Sequence, residues 1–401
     1  VRMQPIGLLP MQLSIAMAQW LSSNGVLQLA KPALHSSSLS SNLNDPAQWQ
    51  AYLNVVEQPK LIEAIRAEAF ARAQGLCFGV HQYQQQDYQH TPTPHAEVWS
   101  KAHVRLLDYS RNADSKAPAL LFLPSLINKY YVLDLMKHHS MLRYMQSHGF
   151  APYVIDWGEP AAHESNFATA DYVQHYAVEA LQHLYEHHEG PIIVVGYCMG
   201  GVLALGLAQL AEIDGLVLLA TPWDFHAKDS PRIPMEDATV TALQQAIDAQ
   251  PHVPATWLQT AFHLINPWHF HEKFREFPQL GEADKKRFLA IESWVNDGVP
   301  LTRAVGKECL IDWPHHNKLA QGAWQIDGET VDPATIDIPT LVFAPTKDKI
   351  VPKGCASPIA RMINSSSLLT PECGHVSMVA GKDAQSLCWE PLAGWVHREF
   401  S

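Results

Sequence analysis

Residues 191–205 read PIIVVGYCMGGVLAL, and this stretch decides the fold. Four apolar residues, 192–195, lead into a glycine-rich turn around Cys198 and then into a helix-forming segment. Where a strand turns at once into a helix, the residue at the turn is exposed. Such a turn is called a nucleophile elbow, and the pattern G-x-C-x-G is typical of it, with cysteine as the nucleophile. Gly196 and Gly200 must be small so that the strand and the helix can approach. The helix N-terminus beneath the sulfur favours a thiolate.

Apolar runs with the length of buried strands recur on both sides of this elbow. We predict further strands at residues 119–123, 151–156, 215–220, 340–344 and 367–370, and helices at 131–148, 168–187, 199–210 and 383–399. Strands that alternate with helices imply βαβ units and a doubly wound, mostly parallel sheet.

The alternation is interrupted by a long segment rich in Pro, Trp and His that shows helices but no convincing buried strand. We also predict a mostly helical N-terminal region over residues 1–100. A catalytic core follows over 101–224 and 336–401, and it is interrupted by a cap over 225–335. Such insertions are tolerated at loops on the ligand-binding edge of these sheets.

The acid and the base of a catalytic triad belong on loops after later strands, in the order nucleophile, acid, base. Asp348 comes four residues after a strand and shortly before a proline, and His375 follows the last short strand in a Gly-His pair. His375 would deprotonate Cys198, and Asp348 would hold the imidazole tautomer and stabilise its cation. The elbow and this order predict an α/β-hydrolase fold with Cys198, Asp348 and His375 as the triad.

An oxyanion hole requires backbone N–H groups beside the nucleophile. The N–H of Met199 follows the nucleophile, and the second donor should come from the loop after the first core strand. We favour the N–H of Leu126 or Ile127. For the side chains of Asn128 and Lys129, a functional role and capping of the next helix stay open.

Composition excludes several functions. The net charge of −12 and the lack of a Lys/Arg cluster argue against a nucleic-acid partner. The six scattered cysteines indicate reduced thiols in a cytoplasmic protein. Adjacent histidine pairs on a helix point about 100° apart, and no metal-ligand spacing occurs, so we expect no metal. Residues 6–29 form a broken apolar stretch, which predicts an amphipathic segment rather than a membrane span or a signal peptide.

Several separate segments resemble the polyhydroxyalkanoate synthase family. The resemblance covers roughly residues 100–400. It rests on GYCMGG at 196–201, NKYYVLDL at 128–135, DWG at 156–158, TPWDF at 221–225, KDKIVP at 347–352 and GH at 374–375. A single one of these segments can arise by chance, but all of them in this order are highly specific.

The resemblance implies an acyltransferase that moves a 3-hydroxyacyl group from coenzyme A to Cys198 and on to a growing polyester. Coenzyme A is then substrate and product, and no cofactor is expected. The resemblance also implies Asn128 and Tyr130 as substrate-binding residues, a homodimer or a second synthase subunit, and a cytoplasmic enzyme at the surface of polyester granules.

Two alternatives belong to other classes. A cysteine-nucleophile hydrolase, namely a thioesterase, an esterase or a dienelactone-hydrolase-like enzyme, would use the same triad. However, the 150 residues between Cys198 and Asp348 demand a large cap, which compact dienelactone hydrolases lack. A non-catalytic granule-associated subunit would have no need for an aligned acid and base.

Overall fold

The computed structural model describes residues 9, 58–111, 113–228, 230, 235–265 and 267–400. The described residues fall into two compact units. The first holds Tyr88–Ile265 and Ala290–Ser401, and the second holds residues 58–87 and 267–289. The segment 6–29, predicted to be amphipathic, lies outside the described residues apart from residue 9. The three-part division predicted from the sequence stays a prediction.

The first unit is built on an eight-stranded sheet. Its strands are β1 (Ala96–Lys101), β2 (Val104–Asp108), β3 (Ala119–Leu123), β4 (Ala151–Asp156), β5 (Ile192–Tyr197), β6 (Gly215–Leu219), β11 (Thr340–Phe343) and β12 (Ser366–Leu369). The short strands outside this sheet are β7 (His252–Val253), β8 (Leu301–Thr302), β9 (Gln325–Ile326) and β10 (Glu329–Thr330).

The strand order is β1-β2-β4-β3-β5-β6-β11-β12. β1 and β2 are antiparallel to their neighbours, and the other pairs are parallel. Every residue of β3, β5, β6 and β11 is buried. Burial on both faces explains their continuous apolar runs. Since β6 and β11 are neighbours, the segment 220–339 between them lies outside this sheet.

Helices cover both faces of the sheet and make up the second unit. The α-helices are α1 (Gln58–Gln84), α2 (Met141–Ser147), α3 (Thr169–Tyr172), α4 (Val178–His187), α5 (Met199–Leu210), α6 (Asp237–Asp248), α7 (Ala255–Ile265), α8 (Pro267–Glu276), α9 (Glu282–Val295), α10 (Arg303–Lys307), α11 (Lys353–Ala356), α12 (Ile359–Met362), α13 (Ser377–Ala380) and α14 (Glu390–Phe400). Short 3-10 turns lie at Tyr130–Asp134, Ala162–Glu164, Phe277–Gln279 and Pro333–Thr335, and π turns at Val173–Ala177, Glu308–Asp312 and Gln385–Trp389.

Two local expectations differ from the structure. The helix predicted over residues 131–148 is a 3-10 turn followed by α2, because the Ser140 side chain accepts the N–H of Arg143 and starts a new helix there. The predicted end is correct, since Gly149 has a positive φ of 86°. The edge strand β1 and its neighbour β2 were not predicted.

The second unit is held together by α1 and α8. A Cβ on Gly79 would lie 1.7 Å from the carbonyl oxygen of Phe274, so the two backbones touch at this point. Tyr83 is fully buried, and its ring lies edge-on to those of Phe274, Phe277 and Phe288 at 5.3, 5.9 and 6.1 Å. Such aromatic clusters contribute beyond the apolar area that they bury.

Candidate active site

Cys198 lies between β5 and α5 in a backbone conformation that side chains rarely adopt. Its φ is 57° and its ψ is −126°. The turn is fixed on both sides, because the N–H of Cys198 donates to the carbonyl of Leu219 at 2.8 Å and its own carbonyl accepts the N–H of Gly201 at 2.9 Å. Strain of this kind persists only where the surroundings impose it, and it is typical of functional residues.

The glycines of the elbow stand where no side chain fits. A Cβ on Gly196 would lie 2.4 Å from the Cα of Gly201, and one on Gly200 would lie 1.9 Å from the carbonyl oxygen of Leu123. A Cβ on Gly201 would meet the Thr221 hydroxyl at 1.8 Å. These contacts supply the steric reason for the small residues expected on both sides of the nucleophile.

Asp348 and His375 meet through a short hydrogen bond. The Nδ1 atom of His375 lies 2.7 Å from Oδ2 of Asp348, and both side chains are buried. Their loops are also joined along the backbone, because the N–H of Lys347 donates to the carbonyl of Cys373 at 3.0 Å. Asp348 therefore holds His375 through a side-chain bond, and the two loops that carry them are themselves hydrogen-bonded to each other.

The pKa of His375 lies well above its ordinary value of 6.5. Burial lowers it, but the negative charges of Asp348 and Cys198 and the hydrogen bonds to both outweigh burial. The charged imidazolium form of His375 is therefore favoured, because the ring interacts with both the Asp348 carboxylate and the sulfur of Cys198. A charged imidazole in this position stabilises a thiolate and can return a proton to a leaving group.

Tyr197 packs against the base. Its ring stacks on the imidazole of His375 at 5.3 Å between centroids, and its hydroxyl donates to the carbonyl of His375 at 3.3 Å. Burial raises the pKa of Tyr197 well above 10, so the phenol stays protonated and keeps its donor. Sequence reasoning missed this residue, and the only available signal was its position directly before the nucleophile.

The loop after β3 lies against the first turn of α5, because Gly200 approaches the carbonyl oxygens of Leu123 and Pro124. The N–H of Ile127 donates to the Ser125 hydroxyl at 3.2 Å. Among the described residues the N–H of Leu126 has no acceptor, and the first N–H groups of a helix, here that of Met199, lack intrahelical partners. Among the predicted oxyanion donors, the N–H groups of Leu126 and Met199 are thus the two without an acceptor in the described part of the chain.

The predicted substrate-binding residues make other contacts. The amide of Asn128 donates to the carbonyls of Trp294 and Val295 at 3.2 and 3.4 Å. Tyr130 is half-buried, and burial raises its pKa while a hydrogen bond to Tyr109 lowers it. The polar atoms of both side chains are engaged within the protein, and their role in binding substrate stays a prediction.

The Cys309 thiol interacts electrostatically with Cys198 and was not found from the sequence. Burial, followed by the charges of Glu308 and Cys198, raises the pKa of Cys309 well above its ordinary value. Burial also raises the pKa of Glu308 to about 7, although its carboxylate accepts the N–H and hydroxyl of Thr169 at 2.9 and 3.1 Å. Cys309 comes from the segment between β6 and β11, far along the chain from Cys198.

The part of the chain that the structure describes offers neither a metal centre nor a membrane-spanning helix. No group of three or more His, Cys, Asp or Glu side chains in the described ranges could hold a metal ion. No helix in the same ranges has both the length and the apolar character needed to cross a membrane.

The model of the alpha/beta hydrolase family matches residues 131–384, which is more than half of the chain. The chain belongs to the alpha/beta hydrolase family. This confirms the fold predicted from the elbow. A second family model, that of the N-terminus of poly-beta-hydroxybutyrate polymerase (PhaC), matches residues 89–145 of this alpha/beta hydrolase.

Curated relatives of this alpha/beta hydrolase confirm the resemblance. A poly(3-hydroxyalkanoate) polymerase subunit PhaC from Haloferax mediterranei is 27% identical over 312 residues, which cover 76% of this chain and 63% of the relative. The subunit of the same name from Thiocystis violacea is 25% identical over 319 residues, which cover 76% of this chain and 88% of that one. The chain thus spans less than two thirds of the length of the first relative.

Solved structures also resemble the chain. MenH from S. aureus has a TM-score of 0.47 at 19% identity over 75% of this chain and 99% of its own. A thioesterase domain from the curacin biosynthetic pathway has a TM-score of 0.48 at 13% identity over 76% and 100%. With TM-scores below 0.5, neither structure adds to the assignment of function.

Proposed function

We propose that the chain is a polyhydroxyalkanoate synthase. It transfers the acyl group of a 3-hydroxyacyl-CoA to Cys198 and passes it to a growing polyester, with release of coenzyme A. The observation that carries this proposal is the hydrogen-bonded pair of His375 and Asp348 beside a strained Cys198, in a chain whose relatives are named polyhydroxyalkanoate polymerases.

The first half of the reaction loads the enzyme. The Cys198 thiolate attacks the acyl carbonyl, and the N–H groups of Met199 and Leu126 stabilise the oxyanion. The bond from the carbonyl carbon to the sulfur of coenzyme A breaks, and His375 gives its proton to that leaving sulfur. Asp348 holds the imidazole in place throughout.

The second half extends the polymer. The 3-hydroxyl group of another acyl unit gives its proton to His375, and its oxygen attacks the thioester on Cys198. An ester bond forms, and the sulfur leaves as a thiolate that pairs with the imidazolium. A thioester stays activated toward an alcohol, which suits a cysteine nucleophile, but water must be kept from the site because hydrolysis would end the chain.

Partners and location form part of the same proposal. We infer a homodimer, with a second synthase subunit as the alternative, that works at the surface of polyester granules in the cytoplasm. Deletion of residues 1–35 tests the contribution of the broken apolar segment, and unchanged association with granules would exclude that segment as an anchor.

Purified protein with 3-hydroxybutyryl-CoA tests the reaction. We expect release of coenzyme A together with insoluble polyester, and loss of both in Cys198→Ala. Cys77→Ser is the matched control, because it removes an exposed thiol far along the sequence from the triad, and it should keep full activity. Release of coenzyme A with only free hydroxy acid would make the protein a thioesterase and would contradict the proposal.

A further inference from the structure

A cavity of about 330 Å³ lies in the first unit, apart from the triad. Its wall is formed by the loop before α2, by α2 itself, by residues after β2 and by the π turn before α14. None of the triad or oxyanion residues lines it. Its volume is at the lower end of the range for small-molecule sites.

Positive charge is concentrated in this wall. Arg111, Lys137, His138 and Arg143 all line the cavity. In the described part of the chain, no carboxylate forms an ion pair with Arg111, Lys137 or Arg143. Arg111, Lys137 and Arg143 thus place three cations without an ion pair around one concave surface, in a protein whose net charge is −12.

Two carboxylates that contact residues of this wall are engaged with neutral donors. Asp134 is buried, and its oxygens accept the N–H and the hydroxyl of Thr93 at 2.7 and 2.6 Å. Glu390 accepts the side-chain amide of Gln385 at 2.9 Å. The guanidinium of Arg111 donates to the carbonyl of Pro94 at 3.0 Å, which fixes its position without neutralising its charge.

A buried donor in the wall has no acceptor. Trp389 is 2% exposed and lines the cavity, and its indole N–H has no partner among the described residues. A buried N–H without an acceptor costs free energy, so native proteins rarely leave one. The nitrogen is buried as well, so an anion in the cavity would be bound by the positive side chains of the wall rather than by this N–H.

We propose that this cavity binds the phosphate group of a small organic phosphate. Guanidinium groups bind phosphate oxygens through two parallel N–H bonds, and a lysine ammonium adds a point charge. Arg111 and Arg143 approach from different elements, and Lys137 completes the set of donors. The same phosphate chemistry is offered by a soluble phosphate ester and by the headgroup of an anionic phospholipid.

Calorimetric titration of the full chain with inorganic phosphate and pyrophosphate tests the site. We expect pyrophosphate to bind more tightly than phosphate, and Lys137→Gln to weaken binding about tenfold through loss of one charged donor. Lys116→Gln is the matched control, because Lys116 is an exposed lysine outside the cavity. It should bind like the unchanged protein.

Vesicles distinguish the two sources. The protein is sedimented with phosphatidylcholine vesicles that contain phosphatidic acid and, in parallel, with pure phosphatidylcholine vesicles. Binding of the protein to the first kind alone, abolished by Lys137→Gln, would assign the site to a lipid headgroup. Failure of phosphate, pyrophosphate and these vesicles to bind would overturn the proposal. Binding that Lys137→Gln leaves unchanged would overturn it equally, and circular dichroism of this variant excludes misfolding as the cause of a loss.

Discussion

Asp348 uses its two carboxylate oxygens for different tasks. Oδ1 accepts the N–H groups of Ile350 and Val351, both at 2.8 Å, and Oδ2 accepts from His375. Asp348→Asn keeps an oxygen for the loop but replaces the charge beside the imidazole. We expect turnover to fall by about 10²- to 10⁴-fold with little change in folding.

The same substitution should lower the pKa of His375, because burial then acts without the opposing charge of Asp348. Titration of labelled histidine by NMR, with the His375 signal assigned from His375→Gln, measures this shift. A titration midpoint that stays in place would contradict the role given to Asp348.

Tyr197 allows a finer test of how the base is positioned. Tyr197→Phe keeps the ring that stacks on His375 but removes the hydroxyl that donates to its carbonyl. We expect a loss of about 1 kcal/mol, seen as a severalfold lower kcat with unchanged KM. Tyr185→Phe, which removes the hydroxyl of an exposed tyrosine, should have no effect. An equal loss in both variants would exclude a specific role for Tyr197.

At the scale of elements, the crossing of β5 and α5 depends on glycine. Gly200→Ala would push a methyl group into the backbone of Leu123, and we expect destabilisation by about 1–3 kcal/mol or more. Gly394→Ala is the control, because it makes the same change in α14 with only the end of the Arg398 side chain nearby, at 3.6 Å. It should stabilise the protein by up to about 1 kcal/mol. Urea unfolding measures both, and similar values would contradict the tight crossing.

The sequence predicted the elements that lie in the centre of the sheet. β3, β5, β6 and β11 are apolar throughout because both faces are covered, and such runs are readable without a structure. β1 was missed because it lies at the sheet edge and is largely exposed, so its residues carry no apolar pattern.

In the candidate site, too, local sequence patterns could be read and contacts between distant segments could not. Cys198, Asp348 and His375 follow strand ends in a fixed chain order, so local patterns were enough to propose them. The contact of Tyr197 with His375 and the interaction of Cys309 with Cys198 join segments that are far apart in the chain. No local pattern marks such contacts.

At the scale of the whole molecule, the two compact units should differ in their response to local damage. Gly79→Ala would force α1 away from Phe274 in the second unit. Hydrogen exchange should then rise in α1 and α8, while β3, β5 and β6 keep their protection. Gly281→Ala, with nothing within 4 Å of the added methyl group, is the control. Equal loss of protection in the central strands would show that the units unfold together.

The central claim is that Cys198 carries the acyl group. The most direct measurement is the intact mass of the protein after brief exposure to 3-hydroxybutyryl-CoA and acid quenching, followed by mapping of the modified peptide. We predict one or more hydroxybutyryl units on the peptide that contains Cys198, and none in Cys198→Ala. Release of coenzyme A with the acyl group on another residue, or with no acyl-enzyme at all, would contradict the claim.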